Sequence, residues 1–270
     1  MQEASSVAAE LEKAKRTPAL ARGVASRRIL GMRVDATDYD SAVAAILELA
    51  RAGQGGTVCV ATVHMVMEAF DAPDYQRLVN AAELVTSDGV PLVWGLRALG
   101  VADATRVYGP ELTPRLCERA AREGISVGFY GGAPEVLDAL VAELSSRFPG
   151  LEVCFVHSPP FAPLPDTPDP DLIDTLRASE AQILFVGLGC PKQERFMALY
   201  RDALPCVQVG VGAAFDFLAG YKAQAPRLLQ DAGLEWLFRL ACEPRRLARR
   251  YLVNNPRFVF HFAKQLLRGR

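Results

Sequence analysis

Apolar residues along this chain fall into two alternating patterns: short unbroken runs, and longer stretches with a hydrophobic position every three or four residues. The short runs, bounded by Gly, Asp or Pro, read as buried strands; the longer stretches read as amphipathic helices with one face on a core. After a first strand or hairpin arm at Arg28–Asp35, strand-like runs occupy Thr57–Thr62, Glu83–Thr86, Ile125–Tyr130, Leu151–His157, Gln182–Val186 and Cys206–Gly212. Helical patterns lie between them at Ser41–Ala52, Met65–Phe70, Pro73–Ala82, Val90–Leu99, Glu111–Glu123, Pro134–Arg147, Asp171–Ser179 and Glu194–Ala203. Asp38 or Asp40 would cap the first of these, with Val43, Ile46 and Leu47 on its inner face. This alternation predicts βα units: an α/β fold with a mostly parallel sheet flanked by helices.

From Ala232 the pattern changes. Trp236, Leu237, Leu240, Leu247, Tyr251 and Leu252 recur at helical spacing, and Pro244 reads as the opening residue of a second helix. Asn254-Asn255-Pro256 is expected to stop that helix, leaving a short last one at Phe258–Leu267. The chain then divides into a flexible extension at residues 1–27, an α/β core at 28–231 and a basic helical appendage at 232–270.

Charge sharpens this division. The total is −1, yet residues 234–270 hold nine Lys/Arg against two acids, so the appendage is strongly basic and the remainder acidic. Such asymmetry points to an anionic partner for the tail. Arg239, Arg246, Arg249 and Arg250 recur at offsets that share a helical face or its flank. They read as a solvated face, a diphosphate clamp, or a contact with anionic lipid, the last favoured by the accompanying Phe and Leu. Nucleic acid is disfavoured by the near-neutral total and the lack of an aromatic platform. Neither a membrane-spanning run nor a signal peptide is visible, and the cysteine pattern suggests a cytoplasmic protein. The six scattered cysteines form no CxxC pair and read as reduced thiols, most of them in apolar surroundings.

Candidate chemistry gathers after the strands, at the edge where open α/β sheets bind ligands. Gly187-Leu188-Gly189-Cys190-Pro191 follows one strand and leads into a helix. It is either an ordinary tight turn or a loop whose N–H groups meet phosphate. Lys192 beside it reads as solvated or phosphate-facing, Gln193 as a donor and acceptor, and Cys190 as a packing residue without a histidine near it in sequence. Asp216, four residues past Gly212, is placed to accept from a ribose or base. Asp88 either caps the helix after it or acts as a base, for which burial must raise its low intrinsic pKa. Asp169-Pro170-Asp171 reads as a helix N-cap rather than a metal-holding pair. There is no GxxxxGK[ST], no GxGxxG and no HExxH or Cys/His cluster. No metal or cofactor is expected.

The order of these motifs is recognisable. Asp88-Gly89, Arg106-x-x-Gly109, Gly187-Leu188-Gly189-x-Pro191-Lys192-Gln193-Glu194, Gly210-Val211-Gly212-Ala213-Ala214-Phe215-Asp216 and Glu235-Trp236-Leu237-x-Arg239-Leu240-x-x-Glu243-Pro244-Arg245-Arg246 together resemble the WecG/TagA/CpsF glycosyltransferases. The resemblance covers about Gly31 to Phe258. It implies a Rossmann-like sheet and an inverting, metal-independent transfer of a sugar from a UDP-sugar to a polyprenyl-diphosphate-linked sugar, in bacterial surface polysaccharide or teichoic acid synthesis. Asp88 matches the family's proposed base. Gln193 and Asp216 match nucleotide-site residues, and Gly187, Gly189, Gly212 and Arg106, in the motifs around them, are expected to bind substrate too. Arg239, Arg246 and Arg249 match arginines of an appendage that closes the site and docks peripherally on the inner face of the cytoplasmic membrane. The expected partners are the UDP-sugar, the lipid-linked acceptor and an anionic membrane surface, with no nucleic acid; a homo-oligomer is left open.

Two departures bear on specificity. The family's Thr-x-Asn, counted back from Asp88, falls on Val60 and Thr62, so Thr62 takes the asparagine's place as a catalytic candidate beside Asp88, and His64 follows two residues later. His157-Ser158-Pro159-Pro160-Phe161 stands where the family has His-Gly-Tyr. The donor then reads as N-acetylmannosamine type or as a glucose or uronate. A non-catalytic nucleotide-sugar-binding or scaffold protein is the alternative if these departures mark lost chemistry.

Overall fold

The computed structural model describes residues 24–269. Residues 1–23, most of the expected extension, lie outside the described residues.

Six of the apolar runs become strands: β3 (Gly56–Ala61), β4 (Leu84–Ser87), β5 (Val127–Tyr130), β7 (Ile183–Val186) and β8 (Val207–Gly210), whose side chains are buried on both sheet faces, and β6 (Val153–His157), a half-exposed edge strand. They form one parallel sheet in the order β4-β3-β8-β7-β5-β6. The first segment is a hairpin, β1 (Ser26–Ile29) against β2 (Met32–Asp35).

Helices cover both faces. On one side α1 (Tyr39–Ala52), α5 (Gly109–Glu123) and α6 (Pro134–Arg147) bury Ile46, Leu116 and Leu140 against Val209 and Phe185. Asp38 caps α1, accepting from the backbone N–H of Ser41, whose hydroxyl accepts in return from the Asp38 N–H. On the other side α2 (Val63–Asp71), α3 (Pro73–Asn80), α4 (Val90–Ala98), α7 (Pro170–Ala178) and α8 (Lys192–Tyr200) pack Met65, Tyr75, Leu92, Leu176 and Phe196 into a second layer. As expected, Asp169 caps α7, its carboxylate accepting from Asp171 N–H at 3.0 Å.

The chain leaves β5 outward through α6 on one face and leaves β7 inward through α8 on the other, so the crevice between β5 and β7 is a topological switch point. Two short helices, α9 (Ala214–Leu218) and α10 (Arg227–Asp231), precede α11 (Glu235–Cys242) and α12 (Pro244–Leu267).

The expected stop at Pro256 is not observed: α12 runs unbroken from Pro244 to Leu267. An interior proline removes one hydrogen bond and costs roughly 3 kcal/mol. Here the carbonyl that loses its partner belongs to Leu252, whose exposure leaves water to satisfy it. Phe258 and Phe262, stacked 5.6 Å apart, bury against the second layer, worth ~1.5–3 kcal/mol each. Burial of the helix outweighs the proline.

Candidate active site

The pairing of β4 with β3 determines where Asp88 stands. Its N–H donates to the Ala61 carbonyl at 2.9 Å, holding it at the carboxyl edge of the sheet. The segment after α4 returns beside it, with Val107 N–H donating to Ser87 O at 2.9 Å, and this delivers Arg106 to the carboxylate. Arg106 donates through Nε to the Asp88 carbonyl at 2.5 Å and through Nη2 to Asp88 Oδ1 at 3.0 Å. The same Nη2 donates to Glu235 Oε2 on α11 at 2.6 Å. Helix α4 takes no side-chain cap, so the capping role weighed for Asp88 is not the one it plays.

Asp88 faces a cavity floored by Thr62, His64 and Gly89 and roofed by Trp236 and Arg239 of α11 and Arg250, Tyr251 and Asn254 of α12. Burial is the main cause that pushes its carboxyl up to about 6; Arg106 opposes the rise and Glu235 adds to it. A carboxylate poised there is suited to accept a proton near neutral pH. Trp236 and Tyr251 meet edge to face at 5.9 Å, joining the two roof helices.

The roof is basic. Arg239 lies with its guanidinium 5.2 Å from the Phe217 ring centre, and Arg250 is largely enclosed. The Nε of each is buried without a hydrogen-bond partner. Buried donors are almost always paired in folded proteins, and an unpaired guanidinium N–H in a cleft suits an anion. His64 is neutral at ordinary pH, because burial, and then the charge of Arg250, hold its pKa down to about 4. Its Nδ1 accepts from Asn254 Nδ2 at 3.1 Å. Thr62 caps α2, accepting from Met65 N–H at 3.4 Å.

The cavity thus unites five residues singled out from sequence: Asp88, Thr62, Arg106, Arg239 and Arg250. A second group lies between β7 and β8. Gln193 is buried there, with Oε1 accepting from Gly189 N–H at 3.2 Å and Nε2 donating to Glu194 at 2.7 Å. Gly212, at φ +57°, lies over the same amide. Gly187 has a packing reason to be glycine: a Cβ there would stand 2.5 Å from the Phe215 ring. Asp216 sits in a third group, an ion-pair string in which Lys222 reaches Asp216 at 2.9 Å and Glu243 at 4.0 Å, and Arg246 pairs with Glu243 at 2.6 Å. Arg249 is exposed and does not line the cavity.

Lys192 does not point at the Asp88 cavity; its Nζ donates to Ala162 O at 2.5 Å and ties down the proline-rich loop. Cys190 lies beside the Tyr75 hydroxyl, with burial pushing its thiol well up and away from nucleophile character. All six cysteines are free, Cys242 alone being exposed.

The sequence match is continuous with this geometry. The model of the Glycosyl transferase WecG/TagA/CpsF family matches residues 27–270. The chain belongs to that family. As a WecG/TagA/CpsF glycosyltransferase it acts with a nucleotide-sugar donor and a sugar acceptor.

Sequence reasoning passed over Glu235 and Asn254 as site residues, and it named Arg250 only within the arginine cluster, without separating it from Arg249. Two signals were available. Glu235 and Arg239 stand at i, i+4 on α11, and Arg250 and Asn254 at i, i+4 on α12, so each pair shares a helix face. That both faces turn toward Asp88 is set by packing of the two helices.

Proposed function

We propose that this WecG/TagA/CpsF glycosyltransferase moves a sugar, with inversion, from a UDP-sugar to a polyprenyl-diphosphate-linked sugar. The observation that carries this is a carboxylate with a raised pKa that shares a cavity with two half-buried guanidiniums, whose buried Nε donors lack partners. Asp88 takes the proton from the acceptor hydroxyl as that oxygen attacks the anomeric carbon. The bond to the diphosphate breaks on the opposite side, and the single displacement inverts the centre. Arg239 and Arg250 receive the charge that gathers on the departing diphosphate; preorganised cations in a dry cleft stabilise it without a metal. Gln193 and Asp216 are assigned to the nucleotide end, along the same sheet edge.

The acceptor is assigned to a membrane because of α12. Leu252 (65% exposed), Val253, Val259, Phe260 (66%) and Leu267 (87%) lie on one side of this helix, with Arg245 and Arg249 toward one end and Lys264 and Arg268 toward the other. An exposed apolar stripe with flanking cations is suited to the interface of an anionic bilayer. Among the described residues no helix is long and apolar enough to cross a membrane.

The test is incubation of the full chain with a panel of UDP-sugars and a polyprenyl-diphosphate-sugar in anionic liposomes. Release of UDP with formation of an inverted product is expected for one donor. Binding of UDP-sugars without turnover of any would overturn the catalytic reading and favour a scaffold role.

A further inference from the structure

The buried group around Asp88 contains one more carboxylate than its arginine can neutralise. Asp88, Arg106 and Glu235 have side chains 16%, 21% and 11% exposed, so solvent screens none of them well. Arg106 is fixed twice over: its Nε is held by the Asp88 carbonyl, and its guanidinium lies 4.2 Å from the Tyr108 ring centre. It therefore cannot swing to favour either acid, and both accept from the one Nη2. The contact to Glu235 is the shorter, at 2.6 Å against 3.0 Å. With both acids ionised the trio carries a net charge of about −1, and a buried −1 is relieved by a proton.

We propose that Glu235 is a positioning residue that adds to the base strength burial gives Asp88, by drawing on the Arg106 cation when α11 is seated over the site. The idea rests on the reading of Asp88 as the base. Without Glu235, Arg106 and Asp88 form a plain ion pair, and an arginine that close lowers a carboxyl pKa strongly. With it, the carboxylate is released to act as an acceptor. The other groups around Asp88 do not replace this role. Arg239 on α11 opposes it as a cation, while His64 on α2, Tyr39 on α1 and Tyr108 ahead of α5 are neutral near pH 7. Arg250 of α12 adds a second cation to the cavity wall. Among the described residues lining this cavity, Asp88 and Glu235 are the two carboxylates. Since Glu235 belongs to the C-terminal helices, the base reaches full strength only with the roof closed, and closure and proton abstraction are coupled.

Glu235→Gln separates this from mere anchoring, because the amide oxygen still accepts from Arg106 while the charge is gone. The measurement is a 13C NMR titration of the aspartate Cγ resonances in the full chain, with Asp88→Asn identifying the Asp88 signal. In Glu235→Gln its midpoint is expected to fall by roughly one pH unit or more, and the acidic limb of the kcat/KM profile to move the same way. If Glu235→Gln unfolds, Glu235→Asp carries the test. Its shorter reach weakens the pull on Nη2, so the midpoint falls by a smaller step. An unchanged Asp88 midpoint in the folded variant overturns the proposal, even if activity drops. Wild-type protein that transfers no sugar overturns the functional reading instead, while the titration still reports on Glu235.

Discussion

Asp88 and His64 face one cavity and titrate in opposite senses. Asp88 is raised from 3.8 to about 6, so between those values the folded protein holds a proton that the unfolded chain has released. Its contribution to stability therefore falls as pH rises through that window. His64 is lowered from 6.5 to about 4, and there it is the unfolded chain that holds the proton, so stability rises with pH. Near pH 5 the two offset each other in the wild-type protein. Asp88→Asn leaves the histidine uncompensated, and the variant is expected to lose about 1 kcal/mol more than wild type between pH 7 and pH 5. His64→Asn is expected to shift the balance the other way by a similar amount. Urea denaturation at the two pH values checks both. At pH 7 Asp88→Asn should also reduce turnover by ~10²–10⁴-fold while UDP affinity, measured by calorimetry, changes little. Near-wild-type turnover would remove Asp88 from the chemistry.

At the scale of elements, α12 presents two different sides. Neighbouring arginines show the split: Arg250 lines the cavity, whereas Arg249 is exposed beside the apolar stripe. Arg250→Ala is expected to weaken UDP binding at least tenfold, with liposome association preserved. Arg249→Ala should do the reverse, lowering co-sedimentation with anionic vesicles and leaving UDP affinity within about twofold; these fold-changes correspond to about 1.4 kcal/mol and less. Equal effects of both on UDP would argue against the separation. The inner side is held by Phe258 and Phe262, and Phe258→Ala is expected to destabilise the protein by ~3–5 kcal/mol. Urea melts, together with proteolysis that opens first within residues 244–267, would report this. The helix boundary itself shows why the sequence misled: Asn-Asn-Pro is a good local stop signal, yet aromatic burial on one side and water on the other carry the helix through it.

For the whole molecule, removal of residues 234–270 is the broadest test. The remaining chain keeps the sheet and both core layers apart from Leu247, Phe258 and Phe262, so it is expected to fold with lower stability. It should lose vesicle association and transfer, since the roof of the Asp88 cavity goes with the tail; vesicle binding equal to that of the full chain would overturn the membrane role of α12.

Much of this protein was legible in sequence order alone. Apolar runs between turn residues located every strand of the sheet, because a strand buried on both faces, as all but the edge strand β6 are, has no polar side to present. The glycine turns and Asp88 stood out for a related reason: residues ending parallel strands all emerge at one edge, whatever the order of the strands. The order β4-β3-β8-β7-β5-β6 was not legible, since pairing partners are chosen by packing across long separations. The roof escaped for the same reason. Helical period shows that Glu235 and Arg239 share a face, and that Arg250 and Asn254 share another, but not which surface each face meets. By itself, then, the sequence determined the βα repeat, the sheet edge at which Asp88 and the glycine turns stand, and the basic tail, all of which follow from local patterning. Tertiary structure alone decided that the tail closes over Asp88, that Arg106 is shared with Glu235, and that Arg250 rather than Arg249 faces the cavity. Those are contacts between surfaces far apart in the chain, and only the burial of one against the other brings them into reach.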